Sequence, residues 1–85
     1  MAVAGSDGNI YAFGGDDGNT TFYDIIEVYS PATGSWTLRS VTAPVGQTNG
    51  FAASPGGDPM LYFIGGNIAT GNSALVQAYS LSGSF

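Results

Sequence analysis

Residues 10–15 read IYAFGG and residues 61–66 read LYFIGG, so the chain contains one short pattern twice, an apolar run that ends in two glycines. The second copy follows the first by 51 residues. Tyr29 likewise returns as Tyr79 after 50 residues. Landmarks that recur at nearly the same spacing indicate an internal repeat of about 50 residues, with the small differences accommodated in loops.

Two further correspondences extend the repeat over almost the whole chain. Trp36 matches Phe85, and residues 3–4 (Val-Ala) match residues 52–53 (Ala-Ala), both at a spacing of 49. Phe85 is the last residue, so the second unit lacks the strand that follows Trp36 in the first. We therefore expect a first unit at residues 1–40, a linker at 41–49 and a second unit at 50–85 without its outer strand.

The segments between glycines predict strands rather than helices. Glycine contributes 14 of the 85 residues, and the longest run without it, residues 19–33, contains a proline. Such runs fit strands of about five or six residues, and their Ile, Val, Tyr, Phe and Thr suit a pleated surface. Residues 72–82 could instead form a short helix, but their alignment with residues 25–29 favours a strand. The sequence predicts seven strands, four in residues 1–39 and three in 50–85.

Two of these strands carry clear burial patterns. Residues 10–13 are continuously apolar, which is typical of a strand covered on both faces. The strand that begins at Trp36 alternates instead, so Trp36 and Leu38 are expected to face the core. Thr37 and Arg39 are then expected to face solvent. The residues predicted to be best buried are Ile10, Ala12, Leu61 and Phe63, with Tyr29 and Trp36 partly covered.

Charge and the missing residue types exclude several classes of function. Arg39 is the single cation against six acids, and the formal net charge is -5, so we expect no contact with nucleic acid or with an anionic membrane. The chain has no Cys and no His, so no disulfide, zinc site or other cofactor is expected. Neither a signal-peptide pattern nor an apolar run of about 20 residues is present, and the cellular compartment stays open.

The glycine pair, the tyrosine and the tryptophan, in this order and at this period, resemble the Kelch repeat of β-propellers. The resemblance implies an all-β propeller fragment of two stacked antiparallel sheets, four strands plus three. It also implies further blades, in the same chain or in copies of it. A WD40 propeller would show a Trp-Asp pair, whereas Thr37 follows Trp36. The residues that carry the motif are Gly14, Gly15, Tyr29, Trp36, Gly65, Gly66 and Tyr79.

Candidate binding residues lie in the two loops that follow the glycine pairs. The resemblance implies that these loops line the face at which Kelch propellers meet ligands. Loops held by a rigid scaffold are also the usual place for binding residues, and an ordinary solvated loop is the alternative. The candidates are Asp16, Asp17 and Asn19 in the first loop and Asn67 and Thr70 in the second.

The first loop offers two other possibilities. Asp16, Asp17 and Asp24 could supply oxygen ligands to calcium, but their spacing departs from the EF-hand loop, so no metal site is expected. Residues 19–21 (Asn-Thr-Thr) form a glycosylation sequon, which matters only if the parent protein is secreted by a eukaryote. Neither possibility replaces the binding interpretation.

Three functional hypotheses follow. The first, which we favour, is a binding module rather than an enzyme, part of a Kelch propeller that recognises a protein or glycan partner through its inter-strand loops. A lone Ser or Asp without a base partner makes no nucleophile. The second is a propeller domain of a secreted carbohydrate-active or galactose-oxidase-like enzyme whose catalytic residues lie elsewhere. The third is a ring of several copies, because bare apolar sheet faces favour association over a stable monomer.

Overall fold

The computed structural model describes residues 1–19, 21–56 and 59–85, and the regular structure of these residues is all β. Among them no helix is long and apolar enough to cross a membrane. Four strands form the first sheet, each antiparallel to its neighbours and in the order of the chain. They are β1 (Ala2–Ala4), β2 (Ile10–Phe13), β3 (Ile25–Ser30) and β4 (Ser35–Thr42).

The second sheet has three antiparallel strands, and a small ribbon precedes the last of them. β5 (Phe51–Ala53) pairs with β6 (Met60–Ile64). The chain then forms a two-stranded ribbon from β7 (Asn67–Ile68) and β8 (Gly71–Asn72). It returns as β9 (Val76–Ser80), which pairs with the other side of β6. The order in this sheet is therefore β5-β6-β9.

The predicted division into four strands plus three is confirmed, and residues 72–82 contain a strand rather than a helix. The ribbon of β7 and β8 was not predicted, because four residues around a turn give too short a pattern. β4 also continues to Thr42, whereas the prediction ended the strand at Arg39. The turn from β5 to β6 includes Gly57 and Asp58, which lie outside the described residues.

Strand register divides the side chains of the first sheet between two faces. Tyr11 lies opposite Val28, and Phe13 lies opposite Ile26, so these four side chains share one side, which we call the front face. All four are buried, with at most 5% of their surface exposed. The back face is the other side of the same strands, and it holds Ile10, Ala12, Glu27, Tyr29, Trp36 and Leu38.

The second sheet repeats this arrangement. Leu61 lies opposite Tyr79, and Phe63 lies opposite Gln77. Leu61 and Tyr79 correspond through the repeat to two back-face residues of the first sheet, so this side is the back face of the second sheet. The front face of the second sheet holds the counterparts of the first front face, which are Tyr62, Ile64, Val76 and Ala78.

The core lies between the front face of the first sheet and the back face of the second. The rings of Phe13 and Phe63 have centroids 4.4 Å apart, and those of Tyr11 and Tyr79 are 6.0 Å apart. Phe85 covers one side of this group, 5.7 Å from Phe13 and 5.0 Å from Tyr79. Tilted ring pairs at such distances are favourable beyond the area they bury. The two sheets therefore pack in one sense, front against back.

The burial predictions are confirmed in the second sheet and wrong in the first. Leu61 and Phe63 are fully buried. Ile10 is 39% exposed and Ala12 is half-buried, because both lie on the back face, which the described residues leave uncovered. The intervening residues of β2 are buried instead. The prediction placed this strand between two layers of structure, and the part of the chain that the structure describes supplies one.

The predicted orientation of β4 is also wrong. Trp36 is 58% exposed and Leu38 is 62% exposed, because both project from the back face. Tyr29 is partly covered, as predicted, and its ring centroid lies 5.2 Å from that of Trp36. Arg39 is the half-buried residue of this stretch, with its guanidinium 6.0 Å from the centre of the Tyr11 ring. The apolar residues of β4 therefore leave a patch open on the first sheet.

Strand pairing corrects one correspondence within the repeat. Ala2 lies opposite Ala12, and Ala52 lies opposite Phe63. Because Ala12 and Phe63 are equivalent, Ala2 corresponds to Ala52, and the spacing is 50 rather than the 49 predicted from Val3. A shift of one residue matters, since it moves every side chain of a strand to the opposite face.

Candidate binding face at the loop end

Three segments meet at one end of the two sheets, which we call the loop end. They are the first loop (residues 14–24, between β2 and β3), the link (residues 43–50, between β4 and β5) and the second loop (residues 65–75, between β6 and β9). Antiparallel order places them together, because β2 and β6 both end here and the link leaves from β4 at the same end. Both predicted binding loops therefore belong to one end of the molecule.

The link joins the two loops through backbone hydrogen bonds. The Gly15 amide donates to the Gln47 carbonyl at 3.1 Å, and the Gln47 amide donates to the Tyr23 carbonyl at 3.3 Å. The next residue of the link, Thr48, exchanges amide-to-carbonyl bonds with Asn67 at 2.9 and 2.8 Å. Two consecutive residues thus bond to the first loop on one side and to the second loop on the other, which fixes the relative position of the loops.

A buried pair of glutamines holds the link against the second sheet. Gln77 pairs with the Val45 backbone, accepting from its amide at 3.1 Å and donating to its carbonyl at 2.8 Å. It also donates to the side-chain oxygen of Gln47 at 2.9 Å, and Gln47 donates to the Gly65 carbonyl at 2.6 Å. Neither glutamine is more than 6% exposed. Because buried amides stabilise a fold only when their bonds are made, this network specifies one position for the link.

One glycine of each pair leaves room for the link. A Cβ atom at Gly14 would overlap the Gln47 carbonyl oxygen, and one at Gly66 would overlap the Thr48 carbonyl oxygen. Both glycines have left-handed backbones, with φ of 72° and 76°. The glycine pairs thus serve the contact between the loops and the link as well as the turn after each strand.

The first loop is shaped by one carboxylate. Asp17 accepts hydrogen bonds at its Oδ1 from the amides of Asn19 at 2.9 Å and Thr21 at 3.1 Å. The bond from the Asn19 amide, followed by that from Thr21, lowers the pKa of the Asp17 carboxyl below its usual range. The carboxylate therefore orders the loop, and Asp16, Asp17 and Asn19 are all exposed. Thr20, the middle residue of the predicted sequon, lies outside the described residues.

The second loop is stiffened by its ribbon. The Asn67 side-chain amide donates to the Asn72 side-chain oxygen at 2.8 Å across the β7–β8 pair. Gly71 adopts a φ of 122° beside Thr70, which stands exposed at the tip. The predicted residue Asn67 is therefore half-buried and engaged within the protein, whereas Thr70 presents its hydroxyl to solvent.

The chemistry of the loop end is polar and acidic. Asp16 and Asp17 are exposed there, beside amides and hydroxyls, and the single cation of the chain belongs to β4 instead. Within the described residues, no group of three or more acids lies close enough to hold a metal ion. Such a surface offers hydrogen-bond acceptors to hydroxyl or amide groups of a partner.

An apolar cleft of about 260 Å³ lies between the link and β9. It lies where the described part of the second sheet has no strand corresponding to β4 of the first. Its apolar walls come from the link, from the end of the second loop and from β9, with the Phe85 ring on one side. They include Pro44, Val45, Leu75, Ala78 and Phe85.

The sequence located the two loops and a linker at residues 41–49, but it did not show that the linker holds the two loops together. Gln47 and Gln77 are the only glutamines of the chain, and a buried glutamine leaves no periodic pattern. One signal was present, because Gln77 sits in an otherwise apolar stretch at the position of Glu27 in the first unit. A polar residue within an apolar strand indicates a specific hydrogen-bond partner.

The two antiparallel sheets stack with the same arrangement of faces, and their loops lie together at one end. This architecture is that of successive blades of a β-propeller. Residues 1–40 match the family model of the Kelch motif, which supports a Kelch-repeat propeller fragment. Such motifs are typical of propeller modules that bind proteins, in which further blades stand beside each repeat. No curated protein matches the chain closely enough to serve as a relative.

Proposed function

We propose that the loop end binds a protein or glycan partner, and that this part of the propeller binds rather than catalyses. The observation that carries the proposal is the attachment of both loops to residues 47–48, which holds them in one fixed arrangement. A surface that is ordered before binding loses less conformational entropy when a partner docks. The absence of His and Cys from the sequence also favours binding over acid–base or thiol chemistry.

The residues expected to meet the partner are the exposed ones at this end. Asp16, Asp17 and Asn19 offer carboxylate and amide groups from the first loop, and Thr70 offers a hydroxyl from the second. Asn67 supports the ribbon through its bond to Asn72 and takes part mainly by holding Thr70 in place. Because the acceptors are acidic, partners with hydroxyl, amide or cationic groups suit the site.

The test is a binding screen of the 85-residue chain against immobilised glycans and displayed peptides, repeated with two loop variants. Asp16→Ala and Thr70→Ala should each weaken a selected ligand by about tenfold, one lost hydrogen bond each. Thr33→Ala is the matched control, because Thr33 is exposed in the turn at the opposite end of the first sheet. Ligands whose affinity falls with Thr33→Ala, and not with either loop variant, would show that the binding surface lies elsewhere.

A further inference from the structure

The exposed apolar side chains of the chain are concentrated on two sheet faces. Among the described residues, seven large hydrophobic ones are exposed, and six of them project from the back face of the first sheet or from the front face of the second. The seventh, Tyr23, belongs to the first loop. The six are Ile10, Trp36 and Leu38 on the first sheet and Phe51, Ile64 and Val76 on the second.

The open face of the first sheet corresponds to the covered face of the second. Through the repeat, Ile10 is the counterpart of Leu61, and Tyr29 is the counterpart of Tyr79. Leu61 and Tyr79 are both fully buried against the first sheet. The ring pair of Tyr29 and Trp36, with centroids 5.2 Å apart, has its counterpart in the pair of Tyr79, which is buried, and Phe85, which is partly buried, at 5.0 Å. The first back face is therefore built like a face that the molecule already buries.

The open front face of the second sheet corresponds to the covered front face of the first sheet. Ile64 and Val76 are opposite one another across β6 and β9, and they correspond to Phe13 and Ile26, which are opposite one another across β2 and β3. Phe13 and Ile26 form the front side of the buried contact. The described sheets thus leave open one front face and one back face, the two kinds of face that pack together in the contact between them.

We propose that copies of this chain associate head to tail, the open front face of one second sheet packing on the open back face of the next copy's first sheet. The occupant is a second copy, because each open face has its complement on the same molecule. The contact is heterologous, so it can continue until a ring closes. Propellers close at about 4–8 blades, and two sheets per copy then give about two to four copies.

The test is light scattering on size-exclusion fractions of the 85-residue chain and two variants. The intact chain should elute as a defined multiple of its 8.6 kDa mass. Leu38→Glu puts an unpaired charge on the back face and Val76→Glu puts one on the front face, both at positions more than half exposed in the single copy. Each should weaken association by about a hundredfold. Thr33→Glu adds the same charge in an exposed turn and should leave the mass unchanged.

Mixing the two blocked variants separates head-to-tail contact from a twofold contact. The Leu38→Glu chain keeps a usable front face and the Val76→Glu chain keeps a usable back face, so together they should form a one-to-one dimer. A twofold contact would instead let one variant pair with itself and give no mixed dimer. Formation of the mixed dimer also shows that both variants fold. A wild-type chain that elutes as a single copy with a cooperative melt, or a mixture that stays monomeric, would overturn the proposal.

Discussion

Two buried tyrosines face each other across the core, and they differ in one contact. The Tyr11 hydroxyl donates to the Asp7 carboxylate at 2.5 Å. The Tyr79 hydroxyl is buried and has no hydrogen-bond partner among the described residues. An unsatisfied buried hydroxyl costs about 1–3 kcal/mol. The two rings contribute similar apolar area, so their hydroxyls should have opposite effects on stability.

Removing each hydroxyl tests this difference. Tyr11→Phe should lower the free energy of unfolding by about 1 kcal/mol, because it removes a charge-assisted hydrogen bond to a partly exposed acid. Tyr79→Phe should leave the free energy of unfolding unchanged or raise it by up to about 1 kcal/mol. Urea unfolding followed by circular dichroism measures both. Equal losses in the two variants would show that the Tyr79 hydroxyl has a partner.

The Tyr11 phenol should also make the free energy of unfolding depend on pH in the alkaline range. Burial, followed by the hydrogen bond to Asp7, raises the pKa of Tyr11 above its ordinary value of about 10. The folded chain then holds the phenol proton more tightly than the unfolded chain does. The contribution of this phenol to the free energy of unfolding is fully present below a pH of about 10. It is lost as the pH rises through the pKa that the phenol has in the folded chain. Thermal melts of Tyr11→Phe should decline less than wild-type melts above that pH, and identical declines would contradict the account.

The glycine pair allows a matched test of the contact between the first loop and the link. Gly14 and Gly15 both have left-handed backbones, but a Cβ would overlap the Gln47 carbonyl only at Gly14. Gly15→Ala should cost about 1–2 kcal/mol from backbone strain alone. Gly14→Ala should cost at least about 1 kcal/mol more, because the link must also move. Equal midpoints in chemical unfolding would mean that the link does not approach Gly14 as closely as described.

At the scale of single strands, the sequence was sufficient to place β2, β3, β6 and β9 but not to choose their covered faces. In β2 every residue is apolar, so nothing in its composition separates Ile10 from Tyr11. Which one is buried depends on the side from which the second sheet approaches, and that is set by the link. The two loops were predictable from the glycine pairs. Their connection through residues 47–48 was not, because it consists of backbone bonds that carry no residue signature.

The exposure of Trp36 revises the expected cost of removing it. A buried Trp lost to Ala costs on the order of 3 kcal/mol or more, which the alternating pattern of β4 had suggested. Trp36 is 58% exposed and packs mainly on the ring of Tyr29. Trp36→Ala should therefore lower the free energy of unfolding of the single copy by about 1 kcal/mol, as measured at concentrations too low for association. A loss near 3 kcal/mol under those conditions would mean that the indole is covered within one chain.

At the scale of the whole molecule, one acid lies where association would bury it. Glu27 is exposed on the first back face, opposite Leu38. Its counterpart in the second sheet is Gln77, whose neutral amide is buried with all its bonds made. Because burying an unpaired carboxylate is costly, Glu27→Gln should strengthen head-to-tail association by about tenfold. Sedimentation equilibrium measures the change, with Asp16→Asn as the control that removes the same charge from the loop end. Equal effects would point to net charge instead of position.

Trp36 reports directly on the back face of the first sheet, which is the open half of the proposed repeating interface. It is the only tryptophan of the chain, so emission excited in the indole band comes from this position. Raising the protein concentration should move the emission maximum to shorter wavelength as a second copy covers the indole. Val76→Glu, which lies on the other sheet, should abolish the shift. An emission maximum that stays at the wavelength of an exposed indole at every concentration would contradict the account.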